Sequence, residues 1–184
     1  RFNLKSNELE KKLEMNRAMD RIKNRRHRMS LINTARVLAT WFGVGLLPKA
    51  PGTWGSLAAL PIGYAITTWG SIKLLGILAI LIFIIGIWAS NVISNEIGIA
   101  DPSEIVIDEV VGQWIVLLAI PPNIILYFFA FVLFRLFDIW KPWPVSWADR
   151  EIKGGLGIML DDVFAAIFAS VILWLGQITY QTYI

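Results

Sequence analysis

The sequence predicts an all-α polytopic membrane helix bundle, with about five spanning helices and one apolar segment that does not span. Three observations carry this. Hydrophobic residues make up 56% of the 184 and the mean hydropathy is +0.60, too apolar for an ordinary soluble domain. Stretches long enough to cross a bilayer carry no charge, residues 74–93 most clearly. Turn-forming residues such as Pro121-Pro122-Asn123 interrupt the apolar sequence.

The elements follow in order. Residues 1–30 hold ten Lys/Arg against four Asp/Glu and form a basic N-terminal extension, with a charged helix expected over 8–28. A basic segment ahead of the first apolar run is expected in the cytoplasm, resting on anionic lipid rather than on nucleic acid. Its long polar stretch, with no small-residue cleavage site after a short apolar core, speaks against a signal peptide. Residues 31–184 form the membrane-embedded domain. Within it, 31–47 is apolar but contains Asn33, Thr34, Arg36 and two glycines, so it is expected to lie in the interface or dip in and return. A turn-rich loop over 48–56 precedes uncharged helices over 54–72 and 74–93. A hairpin of two helices, about 102–120 and 124–140, turns at Pro121-Pro122-Asn123, each leg roughly 27 Å long. Residues 141–160 read as a loop and 163–184 as a last helix.

Sidedness follows from the basic residues. The hairpin tip has none, whereas residues 135–153 contain Arg135, Lys141, Arg150 and Lys153, which assigns that end to the cytoplasm. The carboxylates gather at the same end: Glu104, Asp108, Glu109, Asp138, Asp149, Asp161 and Asp162. A carboxylate at the edge of a lipid-embedded helix is costly and needs a partner or a task. Asp101, Glu104 and Asp108 would share a helix face within about 60°, and Asp101 reads as helix-end charge. Asp161 and Asp162 would open the last helix, where capping accounts for one of them. Arg135 and Asp138, three apart, suit a salt bridge. Thr53 and Ser56, at the start of a helix, suit either a cap or an anion site.

The chain has no Cys, and its single His, His27, lies in the basic head. Thiolate and phosphohistidine chemistry are thereby disfavoured. An oxygen-only donor set suits a hard cation such as Mg²⁺, which commonly acts on phosphate. The expected reaction is metal-assisted attack of water, with a carboxylate as general base, ahead of a route through an aspartyl-phosphate.

Three blocks carry a family resemblance: Leu46–Leu60 (LLPKAPGTWGSLAAL), Ile105–Trp114 (IVIDEVVGQW) and Phe134–Asp162 (FRLFDIWKPWPVSWADREIKGGLGIMLDD). Over about residues 33–175 the chain resembles bacterial phosphatidylglycerophosphatase A. The resemblance implies Mg²⁺-dependent removal of the terminal phosphate from phosphatidylglycerophosphate, a phospholipid drawn from the bilayer, at the cytoplasmic face of a bacterial inner membrane. The family's acidic positions fall on Asp108, Glu109, Asp138, Asp149, Asp161 and Asp162. Lys153 stands where His is expected in this family, so no proton-transfer role is carried over to it.

On this reading Asp108, Glu109, Asp161 and Asp162 hold Mg²⁺ and activate water, and Asp138 completes the catalytic set. Arg135, Lys141, Asp149, Arg150 and Lys153 shape the phosphate site, with Thr53 and Ser56 as hydrogen-bonding groups. The alternatives are a phosphatase for another lipid phosphate, such as phosphatidate, or a non-enzymatic cation transporter or scaffold with salt-bridged carboxylates.

Overall fold

The computed structural model describes residues 2–183, whose regular elements are helices, with no strand among them. The chain divides into two compact units, Arg1–Thr34 and Ala35–Ile184. Helix α1 runs Phe2–Ala39, and its residues 35–39 belong to the second unit. Over residues 19–31 its side chains are exposed.

In the second unit the chain reverses just after α1. Trp41 and Phe42 adopt positive φ, Gly43 follows at φ 93°, and Thr40 Oγ1 accepts the Gly43 N–H at 3.1 Å. A 3₁₀ turn over Val44–Leu46 leads to helix α2, Pro51–Ala65, with Pro at its first position. Ala50 is its cap residue and supplies no side-chain bond, so neither Thr53 nor Ser56 caps this helix. A π turn over Ile66–Gly70 leads to α3, Ile72–Ile97, whose cap Ser71 accepts the Leu74 N–H. Gly98, in the left-handed region, ends α3.

The next stretch departs from expectation. Residues 98–106 are not helical, and α4 begins only at Ile107 and ends at Leu117. At 1.5 Å per residue it is about 16 Å long, well short of the roughly 27 Å expected. Pro102 disfavours helix at Asp101, and the Val106 N–H is drawn to the Ala39 carbonyl at 2.9 Å. The shared helix face argued for Asp101, Glu104 and Asp108 therefore does not exist. Nine of the eleven α4 residues are buried, Gln113 and Val116 completely. A helix shielded this fully does not need the length of a lipid-facing one.

Helix α5, Ile124–Trp140, is capped by Asn123, whose Oδ1 accepts the Ile125 N–H at 2.9 Å, and closes on Lys141 at φ 47°. The expected loop over 141–160 instead contains helix α6, Val145–Glu151, and the first turns of α7, Gly154–Tyr183. Asp161 and Asp162 thus sit two turns inside α7. Neither caps it.

Helices α2, α4 and α7 start at one end of the bundle, and α3 and α5 finish there. Central α4 packs on α2, α3, α5 and α7. Gly112 lets α5 and α7 come close to α4: a Cβ there would meet the Phe134 ring at 2.5 Å and the Asp162 carbonyl at 3.3 Å. Outside, Ile77, Ile80, Ile84, Phe128, Phe129 and Val171 are exposed. Helices Ile72–Ile97 and Gly154–Thr182 are long and apolar enough to cross a membrane.

Candidate active site

Five helix ends meet at one end of the bundle, and a cavity of about 210 Å³ opens between them. Asp108 and Glu109 enter from the first turn of α4, Arg135 and Asp138 from the last turns of α5, and Lys141 from its cap. Asp161 and Asp162 come from two turns into α7, and Asp101 from the loop before α4. Ala50, Pro51 and Gly52 at the start of α2 form the apolar wall.

The carboxylates do three different things. One oxygen each from Asp108, Glu109 and Asp162 lies within 4.8 Å of the others. Among the described residues, Asp108 Oδ1, Glu109 Oε2 and Asp162 Oδ2 are buried with no hydrogen-bond partner. Asp138 is ion-paired with Arg135, which also reaches Glu109 Oε1 at 3.5 Å. Asp161 is held through both oxygens: Oδ2 accepts from Lys141 Nζ at 2.8 Å and Oδ1 from the Asp162 N–H at 3.0 Å. Lys141 also donates to Asp149 Oδ1 at 2.6 Å, tying α6 to the site. Burial pulls the Lys141 ammonium down, but its bonds to Asp149 and Asp161 outweigh this and hold it above its ordinary value. Partial burial pushes the Asp101 carboxyl up, against the pull of Lys141.

Charge decides what this site can hold. Six carboxylates line the cavity against two cations, Arg135 and Lys141. Uncompensated buried charge costs several kcal/mol per ion on the order of magnitude that applies to protein interiors. Orphaned oxygens from Asp108, Glu109 and Asp162 fit a hard divalent cation, which takes oxygen ligands and offsets that excess. Asp161, placed in the same set from the sequence, is instead engaged by Lys141.

The other sequence candidates lie outside this cavity's lining. Ser56 is fully buried and its Oγ donates to the Gly52 carbonyl at 3.0 Å; Thr53 is half-buried and not in the cavity lining. Arg150 Nε donates to the Ser146 carbonyl at 3.0 Å, and Lys153 Nζ donates to the Arg150 carbonyl. Lys153 and Asp149 border a separate hollow of about 50 Å³ beside Asp101. Asp101 itself reaches the cavity, against its assignment as helix-end charge. The signal that marks it is Pro102, which takes residue 101 out of a helix. A larger groove, about 710 Å³, lies between α5 and α7 at the opposite end, but it is lined mainly by side chains such as Leu126, Phe129 and Ile172 and has no acidic or basic residue.

An apolar helical bundle with a carboxylate-rich, cation-flanked pocket at one end has the equipment of a membrane phosphate hydrolase. The comparisons make this particular. The chain belongs to the phosphatidylglycerophosphatase A family, whose model matches residues 37–177, and it is an enzyme of that hydrolase class. It is 41% identical to phosphatidylglycerophosphatase A of Escherichia coli (strain K12) over 150 residues, 80% of this chain and 86% of that protein. It is also 41% identical to phosphatidylglycerophosphatase A of Haemophilus influenzae over 151 residues, 82% of this chain and 93% of that one. A Bacteroides thetaiotaomicron protein, provisionally named as a phosphatidylinositol-3-phosphatase, is 39% identical over 144 residues, 74% of this chain and 89% of its own. No solved structure matches the chain.

Proposed function

We propose that the chain hydrolyses the terminal phosphate of phosphatidylglycerophosphate to give phosphatidylglycerol, using Mg²⁺ held by Asp108, Glu109 and Asp162. The observation that carries this is the group of three carboxylates with orphaned oxygens beside Arg135 and Lys141, in a member of this family. Six carboxylates opposed by only two cations would repel a phosphate dianion, so the charge balance of the cavity favours a bound cation. Bound there, Mg²⁺ would supply Lewis-acid polarisation of a phosphoryl oxygen and a more acidic water.

The remaining roles fall to the chain. Arg135 and Lys141 bind phosphate oxygens. Lys141 spends two of its three N–H donors on Asp149 and Asp161 and keeps one for substrate. Asp138 and Asp161, each ion-paired and outside the three-carboxylate group, remain to accept the proton of the attacking water. The acyl chains stay in the bilayer and reach the site laterally.

The membrane arrangement belongs to the same proposal. Helices α2, α3, α4, α5 and α7 traverse the bilayer of a bacterial inner membrane, α4 as a short leg enclosed by its neighbours. Gln177 Nε2 satisfies the Ala119 carbonyl at the end of that leg at 3.2 Å, as a polar group within lipid requires. Arg135, Lys141, Arg150 and Lys153 direct the site end to the cytoplasm, and the basic extension rests on anionic headgroups rather than on nucleic acid.

The test is phosphate release from a panel of phosphatidylglycerophosphate, phosphatidate and phosphatidylinositol 3-phosphate, with Mg²⁺ and then with EDTA. Release from phosphatidylglycerophosphate that stops on chelation is expected. Full turnover in EDTA would sink the metal reading. Preference for phosphatidylinositol 3-phosphate would favour the second reading, which the Bacteroides relative supports.

A further inference from the structure

One buried polar side chain takes no part in the site as described. Gln113 is fully buried on α4, and among the described residues neither its Nε2 nor its Oε1 has a hydrogen-bond partner. An amide buried with both ends unsatisfied is disfavoured and calls for an explanation. It is not in the wall of the cavity, so it does not meet substrate.

Its place in the fold is informative. Gln113 follows Glu109 by four residues, one turn deeper on the same face of α4. Glu109 faces α2 and α5: a Cβ at Gly52 would fall on Glu109 Oε1 and lie 3.0 Å from Arg135 Nη1. Helices α2 and α4 run in parallel, since Gly52 abuts Glu109, Ala59 meets Trp114 and Gly63 meets Leu117. The turn below Gly52 carries Ser56, also fully buried, whose hydroxyl proton goes to the Gly52 carbonyl. Gln113 thus sits in a buried layer one turn under Glu109. Glu109 Oε1 faces Arg135, while Oε2 has no partner among the described residues.

We infer that Gln113 is a positioning residue for Glu109: its Nε2–H, one helical turn below, turns to Glu109 Oε2 and fixes the carboxylate between Arg135 and the cation. Neighbouring Cβ atoms at this spacing are about 5–6 Å apart, within reach of a Glu–Gln pair after a side-chain rotation. An ionised carboxylate has about four lone-pair sites, so Glu109 can accept from Arg135 and Gln113 and still ligate. Groups that orient a metal ligand in this way typically change metal affinity or activity about 10–100-fold when removed.

This rests on the cation-holding role of Glu109 given above, and the experiment separates the two. The purified full-length chain in detergent is titrated with Mn²⁺ by electron paramagnetic resonance, with kcat, KM and thermal unfolding measured alongside. The parent protein tests the cation role before any variant is made. Gln113→Met removes both amide ends at similar volume. It is expected to unfold no earlier than the parent, to bind Mn²⁺ about 10–100-fold more weakly, and to lose kcat with KM little changed. Gln113→Asn keeps the amide but shortens its reach, and should weaken Mn²⁺ in the same way. Parental Mn²⁺ affinity in both variants overturns the inference, even with the cation role intact. So does a Gln113→Met protein that loses stability while keeping its affinity, because the amide would then be structural. A parent that binds Mn²⁺ but fails on phosphatidylglycerophosphate refutes the substrate and leaves the role of Gln113 to be read from the variants.

Discussion

Gly52→Ala probes the tightest contact in the site. The added Cβ would lie 2.9 Å from Glu109 Cδ and 3.0 Å from Arg135 Nη1, with Glu109 Oε1 nearer still. Carbon atoms pack best at about 3.5–4.0 Å, so the carboxylate must retreat by about 1 Å. A displacement of that size at a catalytic group costs about 10² in rate, or about 2.7 kcal/mol of barrier. Stability should respond differently. Ala gains up to about 1 kcal/mol over Gly within a helix, which offsets part of the strain. The expected protein therefore folds, unfolds within a few degrees of the parent, and releases phosphate about 100-fold more slowly. Phosphate release and thermal unfolding, measured on the same detergent-purified sample, read both effects. Gly176→Ala is the control, since nothing lies within 4 Å of a Cβ there, and its kcat should match the parent's. A Gly52→Ala enzyme with parental kcat would refute the claim that the Glu109 position matters. A loss of rate seen only together with unfolding would refute it too.

Asp108→Asn and Asp162→Asn each remove one charged oxygen ligand and should lower kcat by about 10²–10³, whereas Asp101→Asn, which only trims the negative charge of the wall, should lower KM for the anionic lipid and leave kcat within a few-fold. Equal damage from all three, measured as kcat and KM, would undo the distinction. Lys141 has its folded-state value raised above the ordinary 10.5, so its contribution to stability is complete below that pH and fades only as pH rises further. Lys141→Met should therefore unfold at a lower temperature than the parent throughout about pH 7 to 9, and a difference that vanished within that window would contradict the ion-pair geometry. A topology reporter fused near Lys49 should read cytoplasmic and one near Asn123 periplasmic; the reverse pattern would turn the site outward.

Much of this protein is legible in its residues. Long uncharged runs announce helices, because a backbone in lipid must satisfy its own hydrogen bonds. The absence of Cys, together with clustered Asp and Glu, points to oxygen ligation, and the Ile105–Trp114 and Phe134–Asp162 blocks point to the family. Periodicity relates residues along one helix. It does not place one helix against another. Asp161 and Asp162 look equivalent in sequence, yet the rotation of α7 against α4 and α5 gives one to Lys141 and the other to the three-carboxylate group. That rotation is set by close packing at Gly112 against the Asp162 carbonyl and at Gly155 against Ile87. Asp101 enters the cavity because Pro102 and the Val106–Ala39 hydrogen bond hold residues 98–106 out of helix. Residue type and spacing determine which chemistry is available. Which carboxylates converge depends on inter-helical register, which follows from side chains meeting across distant segments and is written in no single stretch of the chain.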